Sequence, residues 1–204
     1  KTAHVLNNTE ASPFLRRCLL GLTVDEPEST DTLVSVDVAS PHLLPDCHKQ
    51  YLGRLALRID HHATAISFTP NELVDASSAA CGEIIYEIVR ELGPVTAEIA
   101  TALYVAVSTD CGCFAYGNTT ANTHRVAAAL IDCGIDLAGL NKRHFRTKSW
   151  KRMQLEGAIL GGMELHDDGL VAIAAITIEM MDSIGATQND TEDIANLVGA
   201  LEGV

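Results

Sequence analysis

Arg58-Ile59-Asp60-His61-His62 sets an aspartate and two histidines directly behind the apolar run Leu55 to Ile59, and its reading decides the fold. A run that short, bounded by Gly53 and by polar residues, reads as a buried strand. Polar groups gathered at a strand's carboxyl end mark the crevice where open α/β sheets bind ligands. Neighbouring strand residues point to opposite faces, so His61 and His62 need not do the same job. One can ligate a metal while the other reaches a substrate. The bland alternative is a solvated turn that happens to hold histidines, and carboxylates in similar positions elsewhere decide against it.

Upstream, Thr32 to Val38 is β-branched and apolar, which predicts a central strand with Asp37 at its end; Ser40, Pro41 and Pro45 then break the chain. Before it, Lys1 to Leu20 reads as the tail of a βα unit, and Asp25 to Asp31 as an acidic loop. Downstream, Ser77 to Leu92 predicts a helix stopped by Gly93-Pro94. Thr96 is a plausible N-cap for the next helix, where Ile99, Ala102, Leu103, Ala106 and Val107 recur at helical spacing. That helix is apolar almost all round, so it is expected to be buried. It runs into Ser108-Thr109-Asp110, where the partial negative charge of a helix carbonyl end would favour a cation. Thr120 to Cys133 gives another helix, ended by Gly134.

The character changes at Asn141. Lys142, Arg143, Arg146, Lys148, Lys151 and Arg152 are six of the chain's 14 basic residues, packed into eleven positions. They read either as a face that draws in an oligonucleotide or as the solvated side of a linker helix. Asp167-Asp168-Gly169 predicts a hairpin turn, Leu170 to Ile176 a strand, and Asp190-Thr191 the cap of a helix through Leu197 to Leu201. The expected organisation is an α/β domain with a doubly wound, mainly parallel sheet over 1–140, a connecting helix over 141–163, and the start of a smaller α+β domain over 164–204. The chain begins at Lys1, enters at once on Val5-Leu6, and reads as cut from a longer polypeptide.

Fourteen basic against 27 acidic side chains leave a net charge of −13. Proteins that grip a long duplex owe their affinity largely to neutralised phosphates, so the acidity argues for a small substrate and suits a site that collects divalent cations. No stretch is long and apolar enough to span a bilayer, and no membrane partner is expected. The six cysteines include no CxxC pair, and buried reduced thiols in a cytoplasmic protein are expected. Cys111 and Cys113 flank Asp110 but lack the second pair that a thiolate zinc site needs.

Asp37, His61 and Asp110 are thus three candidate hard ligands, each behind an apolar run. Carboxylate and imidazole together suit Mn²⁺, Mg²⁺ or Zn²⁺, with oxygen-rich sets leaning to the first two. Two such ions about 3.5–4 Å apart can clamp both oxygens of an in-line displacement at phosphorus. A bridging carboxylate is needed for that, and Asp37 is the candidate.

Asp60-His61-His62 resembles the motif that names the DHH phosphoesterases, and Asp37 looks like the aspartate of the motif before it. Thr109-Asp110-Cys111-Gly112-Cys113-Phe114, with Asn118-Thr119-Thr120 and Thr123-His124, resembles the last motif of the RecJ-like branch of nano-RNases, oligoribonucleases and phosphoadenosine phosphatases. The likeness runs from about Val5 to Val204. It implies a hydrolase with two Mn²⁺ ions, Mg²⁺ being the alternative, for very short oligoribonucleotides or 3′-phosphoadenosine 5′-phosphate, acting through a metal-activated water. Carried over, Asp37 bridges the metals, His61 and Asp110 hold the second one, and His62 contacts the scissile phosphate. Asp60 would orient an imidazole, or serve as a strand-end cap. Asn118 would line the substrate pocket, while Thr120 reads equally as an N-cap. The family's first motif, which supplies the first metal's remaining ligands, has no counterpart here, and the chain stops before the glycine-rich substrate loop of the DHH-associated domain.

The expected partner is a short oligonucleotide or nucleoside bisphosphate, not a long duplex, and a homodimer is one assembly open to the chain. The runner-up readings are a cyclic- or linear-dinucleotide phosphodiesterase and, from another class, a non-catalytic nucleotide-binding module.

Overall fold

The computed structural model describes residues 3–7, 19, 21–191 and 194–203. The chain divides into two compact units, Lys1–Phe145 and Arg146–Val204.

In the first unit, β1 (Val5–Leu6) and β2 (Thr23–Val24) pair in parallel. Most of the stretch between them, where the tail of a βα unit is expected, lies outside the described residues. β3 (Leu33–Val36), β4 (Leu55–Asp60) and β5 (Glu72–Val74) form a second, three-stranded parallel sheet in the order β3-β4-β5. The expected central strand at Thr32 to Val38 is therefore shorter than read and lies at an edge; the centre belongs to β4. The reason is visible in burial: Arg58, Ile59 and Asp60 are all buried, whereas Val34 and Val36 are 45% exposed.

Helices α1 (Cys81–Leu92), α2 (Ala97–Asp110) and α3 (Ala121–Asp132) build the main core with Tyr86, Ala100, Leu103, Tyr104, Val107, Val126 and Leu130. Burial of the leucines and valines among them contributes roughly 1.5–3 kcal/mol each, as an upper bound. A smaller cluster of Ile59, Cys81 and Ile84 seats α1 against β4. Gly82 permits the close approach of α1 to α2, since a Cβ there would stand 3.0 Å from Val107 Cγ2. Thr96 caps α2 by accepting from Ile99 N, and Thr120 closes a capping box with Thr123 on α3. α1 begins at Cys81 rather than Ser77 because Asp75 claims the preceding residues. Its carboxylate accepts from Ser77 N at 3.0 Å, Ser77 Oγ at 2.6 Å and Ser78 Oγ at 2.9 Å, which holds them in a turn.

The connecting helix expected over 141–163 is interrupted. α4 (Leu137–Asn141) passes into a π turn over Lys142–Arg146, and α5 (Trp150–Gly161) starts afresh in the second unit with Ser149 accepting from Arg152 N. Leu155 and Ile159 are the buried residues of α5. Three of the clustered bases bond within this unit: Lys148 and Arg152 to Glu156, and Lys151 to Gly185 O. The hairpin expected at Asp167-Asp168-Gly169 joins β6 (Glu164–His166) to β7 (Val171–Ile173) in antiparallel register, with all three turn residues at positive φ. The strand expected over Leu170 to Ile176 is confined to those three residues of β7. α6 (Ile178–Ile184) follows, then a short α7 (Ala195–Val198). Asp190 does not cap α7; its carboxylate accepts from Thr187 N, Thr187 Oγ1 and Ser149 Oγ instead.

Candidate metal centre

Asp60, the last residue of β4, is wholly buried, and its Oδ1 collects three donors: His61 N at 2.7 Å, His62 N at 3.3 Å and His62 Nδ1 at 2.7 Å. Its other oxygen faces Arg58 Nη1 at 3.5 Å. Burial pushes the Asp60 carboxyl upward. The hydrogen bond from the His62 ring, those from the two backbone N–H groups and the charge of His62 outweigh it and hold the carboxyl below its ordinary value. His62 responds in kind: the Asp60 hydrogen bond lifts its pKa against the opposing effect of burial, with help from the charges of Asp60, Asp37 and Asp110.

His61 turns the other way. Its Nδ1 lies 3.2 Å from Ser78 O, and a carbonyl only accepts, so Nδ1 carries the proton and the neutral ring has its lone pair on Nε2. Nε2 in turn stands 3.2 Å from Asp110 Oδ2 and 3.5 Å from Asp37 Oδ1. Three electron-rich atoms that face one another at such distances repel unless a cation, whether a proton on His61 or a metal, sits among them. The strain shows in Asp110, whose carboxyl is pushed up by burial first and by the charge of Asp37 second, against the pull of His61 and His62. An imidazole lone pair with two carboxylates is a donor set that fits Mn²⁺, Mg²⁺ or Zn²⁺.

Asp37, His61 and His62 present ligand atoms within 4.8 Å of one another. Chemistry separates the two histidines nonetheless. Nδ1 of His62 is held by Asp60 and stands 3.9 Å from Asp37, whereas the Asp110 oxygen points at the lone pair of His61. Asp37, His61 and Asp110 could therefore hold a cation, and His62, whose Nδ1 bond to Asp60 leaves Nε2 as a lone-pair donor, could join them.

Local sequence explains how these groups converge. Asp37 follows β3 at φ 61°, a left-handed conformation that aspartate tolerates better than most residues, and its N–H donates to Ile59 O at 2.9 Å. Asp110 is the final residue of α2. Gly112, Cys113 and Phe114 then adopt φ values of 53°, 55° and 68°, turning the chain sharply back. The Tyr116 ring occupies the space a side chain at position 112 would need.

Sequence reasoning passed over Arg58, Ser78 and Glu83. Arg58 is 1% exposed and ties together the segments behind the centre: Nη1 donates to Ile66 O at 3.0 Å and Ala39 O at 3.4 Å, and Nη2 to Glu72 Oε2 at 3.0 Å. A lone arginine inside an apolar strand was the available signal, because a buried guanidinium must find partners. Asn118, expected to line a substrate pocket, donates one amide hydrogen to Ala79 O at 3.0 Å and the other to Asp110 O at 3.2 Å.

No family model matches the chain. The bifunctional oligoribonuclease and PAP phosphatase NrnA of Thermus thermophilus is 34% identical over 174 residues, which are 84% of this chain and 51% of that protein. The protein of the same name from Bacillus subtilis is 25% identical over 89% of this chain and 58% of its own length. The chain is thus similar, over most of its own length, to members of the DHH phosphoesterases. The chain spans about half the length of the curated relatives it matches. Its fold is that of a crystallised exopolyphosphatase-related protein from Bacteroides fragilis, with a TM-score of 0.77 at 20% identity over 85% of this chain and 53% of the other. A putative family II inorganic pyrophosphatase from Methanococcus jannaschii follows at 0.52 and 17% identity, over 86% and 60%.

Proposed function

We propose that this chain is the metal-holding part of a phosphoesterase that hydrolyses short oligoribonucleotides, 3′-phosphoadenosine 5′-phosphate, or both. The observation that carries the reading is the meeting of the Asp37 and Asp110 carboxylates at the lone pair of His61. The naming of both relatives as oligoribonuclease and PAP phosphatase supports the substrate class. The net charge of −13 speaks against a long nucleic acid.

In this reading Asp37, His61 and Asp110 hold divalent cations, Mn²⁺ being the proposed ion, Mg²⁺ the alternative, and two ions the proposed complement. Bound there, such cations supply Lewis acidity toward a phosphoryl oxygen and a water acidified toward neutrality. The protein's own contributions are positional and electrostatic. Ser78 O fixes the tautomer of His61. Asp60 fixes His62 through Nδ1, so that its remaining ring nitrogen faces the substrate, and the raised pKa keeps His62 cationic over a wider range, which favours contact with a phosphate. Asn118 has only its Oδ1 left for a substrate.

The proposed DHH domain spans 1–140, a reading supported by the compact unit Lys1–Phe145. Residues 141–163 would connect it to the beginning of a DHH-associated substrate-binding domain over 164–204. A cytoplasmic setting is proposed because the described cysteines, Cys47, Cys81, Cys111, Cys113 and Cys133, are all free. Among the described residues no helix is long and apolar enough to cross a membrane. Sizing in solution decides between a monomer and the proposed homodimer. The test of function is product chromatography on the full-length protein with Mn²⁺, given dinucleotide to pentanucleotide RNA and the bisphosphate in parallel. Release of mononucleotide or phosphate that vanishes in Asp110→Ala is expected; an Asp110→Ala variant that still turns over overturns the reading.

A further inference from the structure

His61 and Asp110 come from different elements, 49 positions apart, and something must set the distance between them. Four hydrogen bonds converge on one short segment, residues 78–83, just before and at the start of α1. Ser78 O takes the Nδ1 proton of His61 at 3.2 Å. The next carbonyl, Ala79 O, takes one amide hydrogen of Asn118 at 3.0 Å, while the second goes to Asp110 O at 3.2 Å. Glu83, 1% exposed, holds the far end of the same loop: Oε1 accepts from Thr123 Oγ1 at 2.7 Å and Oε2 from Asn122 Nδ2 at 2.9 Å. Thr123 in turn closes the capping box with Thr120. The loop between Asp110 and Thr120 is therefore pinned at both ends to the segment that orients His61.

We propose that Asn118 and Glu83 are positioning residues that set the separation of His61 and Asp110 by registering the 111–120 loop on residues 78–83, and that cation affinity depends on them. The geometry makes Asn118 the direct brace. Its amide bridges the carbonyl next to Ser78 and the carbonyl of Asp110 itself, a terminal helix carbonyl that lacks an intrahelical partner. Glu83 acts one step further away by fixing the start of α3. The cost of losing either is a looser spacing of the donor atoms rather than the loss of a donor. Residues that hold ligands in place are worth about 10- to 100-fold in metal affinity when removed.

The proposal rests on the metal reading above, and the experiment separates the two. Mn²⁺ binding to the full-length protein, without substrate, is measured by calorimetry and by the Mn²⁺ electron paramagnetic resonance signal for the wild type, Asn118→Ala, Glu83→Gln, Thr123→Val and Thr123→Ser. Asp136→Ala, which removes the N-cap of α4, serves as a destabilised control. A wild type that binds no Mn²⁺ defeats the metal reading. If the wild type binds, Asn118→Ala is expected to weaken Mn²⁺ about 10- to 100-fold, with a broadened resonance. Glu83→Gln and Thr123→Val should weaken it less, while Thr123→Ser and Asp136→Ala should bind as the wild type does. Wild-type affinity in folded Asn118→Ala and Glu83→Gln overturns the positioning role, and so does equal weakening in Asp136→Ala. Should Asn118→Ala fail to fold, the contrast between Thr123→Val and Thr123→Ser decides.

Discussion

His62 and Asp60 form an ion pair whose acidic member is wholly buried while the imidazole stays 42% exposed, with Nδ1 2.7 Å from Oδ1. A carboxylate in that position cannot meet a substrate. In the proposed reaction it would act only through the ring it holds, and through the two backbone N–H groups that fix the turn into His61 and His62.

Asp60→Asn should therefore leave the fold in place but lower kcat/KM by about 10- to 100-fold. In metal-free protein, the NMR titration midpoint of His62 should fall toward its ordinary value of about 6.5. The linkage signs follow from the two shifts. His62 is raised, so its share of the pair's stability is complete below its unfolded pKa and is lost as pH rises through the folded one. Asp60 is lowered, so its share is present above its unfolded pKa and is lost as pH falls through the folded one. A His62 midpoint unmoved in Asp60→Asn would rule out the pair as the cause.

Asp110 makes the opposite prediction for stability. Burial and the charge of Asp37 raise its pKa, so its ionisation costs stability as pH rises from its unfolded value through the folded one. Above that range Asp110→Asn should melt higher than the wild type in the absence of metal. Saturating Mn²⁺, at about a hundred times its Kd, should add about 2.7 kcal/mol to the wild type and much less to the variant. Thermal melts with and without Mn²⁺ check both halves; a metal-free variant that melts lower contradicts the repulsion.

Glu156 sets an acid limit for the second unit. Burial raises its carboxyl, but hydrogen bonds from Lys148 at 2.8 Å and Arg152 at 2.6 Å, with their charges, bring it below the ordinary value. Its contribution is present above its unfolded pKa, about 4.3, and disappears as pH falls through the folded value. Glu156→Gln should cost roughly 1 kcal/mol near neutrality, because Lys148 is half exposed and screened, and should cost nothing at the acid end. Amide exchange of α5 at two pH values measures it.

How far the sequence carries can be judged residue by residue. β4, the capping threonines at 96 and 120, and the 167–169 turn were readable because each depends on neighbours within four positions. Asp37, His61 and Asp110 could be brought together on paper because all three end apolar runs. Arg58, Ser78 and Glu83 could not be assigned roles, since their partners lie as far as 40 positions away and leave no periodic trace. The start of α1 was missed for a local reason: Ser77 and Ser78 are acceptable helix residues until Asp75 claims their hydroxyls. The edge position of β3 depends on which strands pair, and an apolar run does not reveal that.

Gly112 is where the loop behind Asp110 is most exposed to a single atom. Its φ of 53° disfavours any side chain, and a Cβ would stand inside the Tyr116 ring. Gly112→Ala should destabilise the protein by about 1–3 kcal/mol from the backbone alone, with a further increment from the displaced ring. The two parts can be separated. In a Tyr116→Ala background the collision is gone, so Gly112→Ala should there cost only its backbone share, and the coupling energy between the two sites reports the ring's part. Denaturant midpoints for the four proteins give that energy directly. Additive costs would mean that Tyr116 moves aside freely, and that the turn behind Asp110 is held by its hydrogen bonds rather than by the packing of tyrosine on glycine.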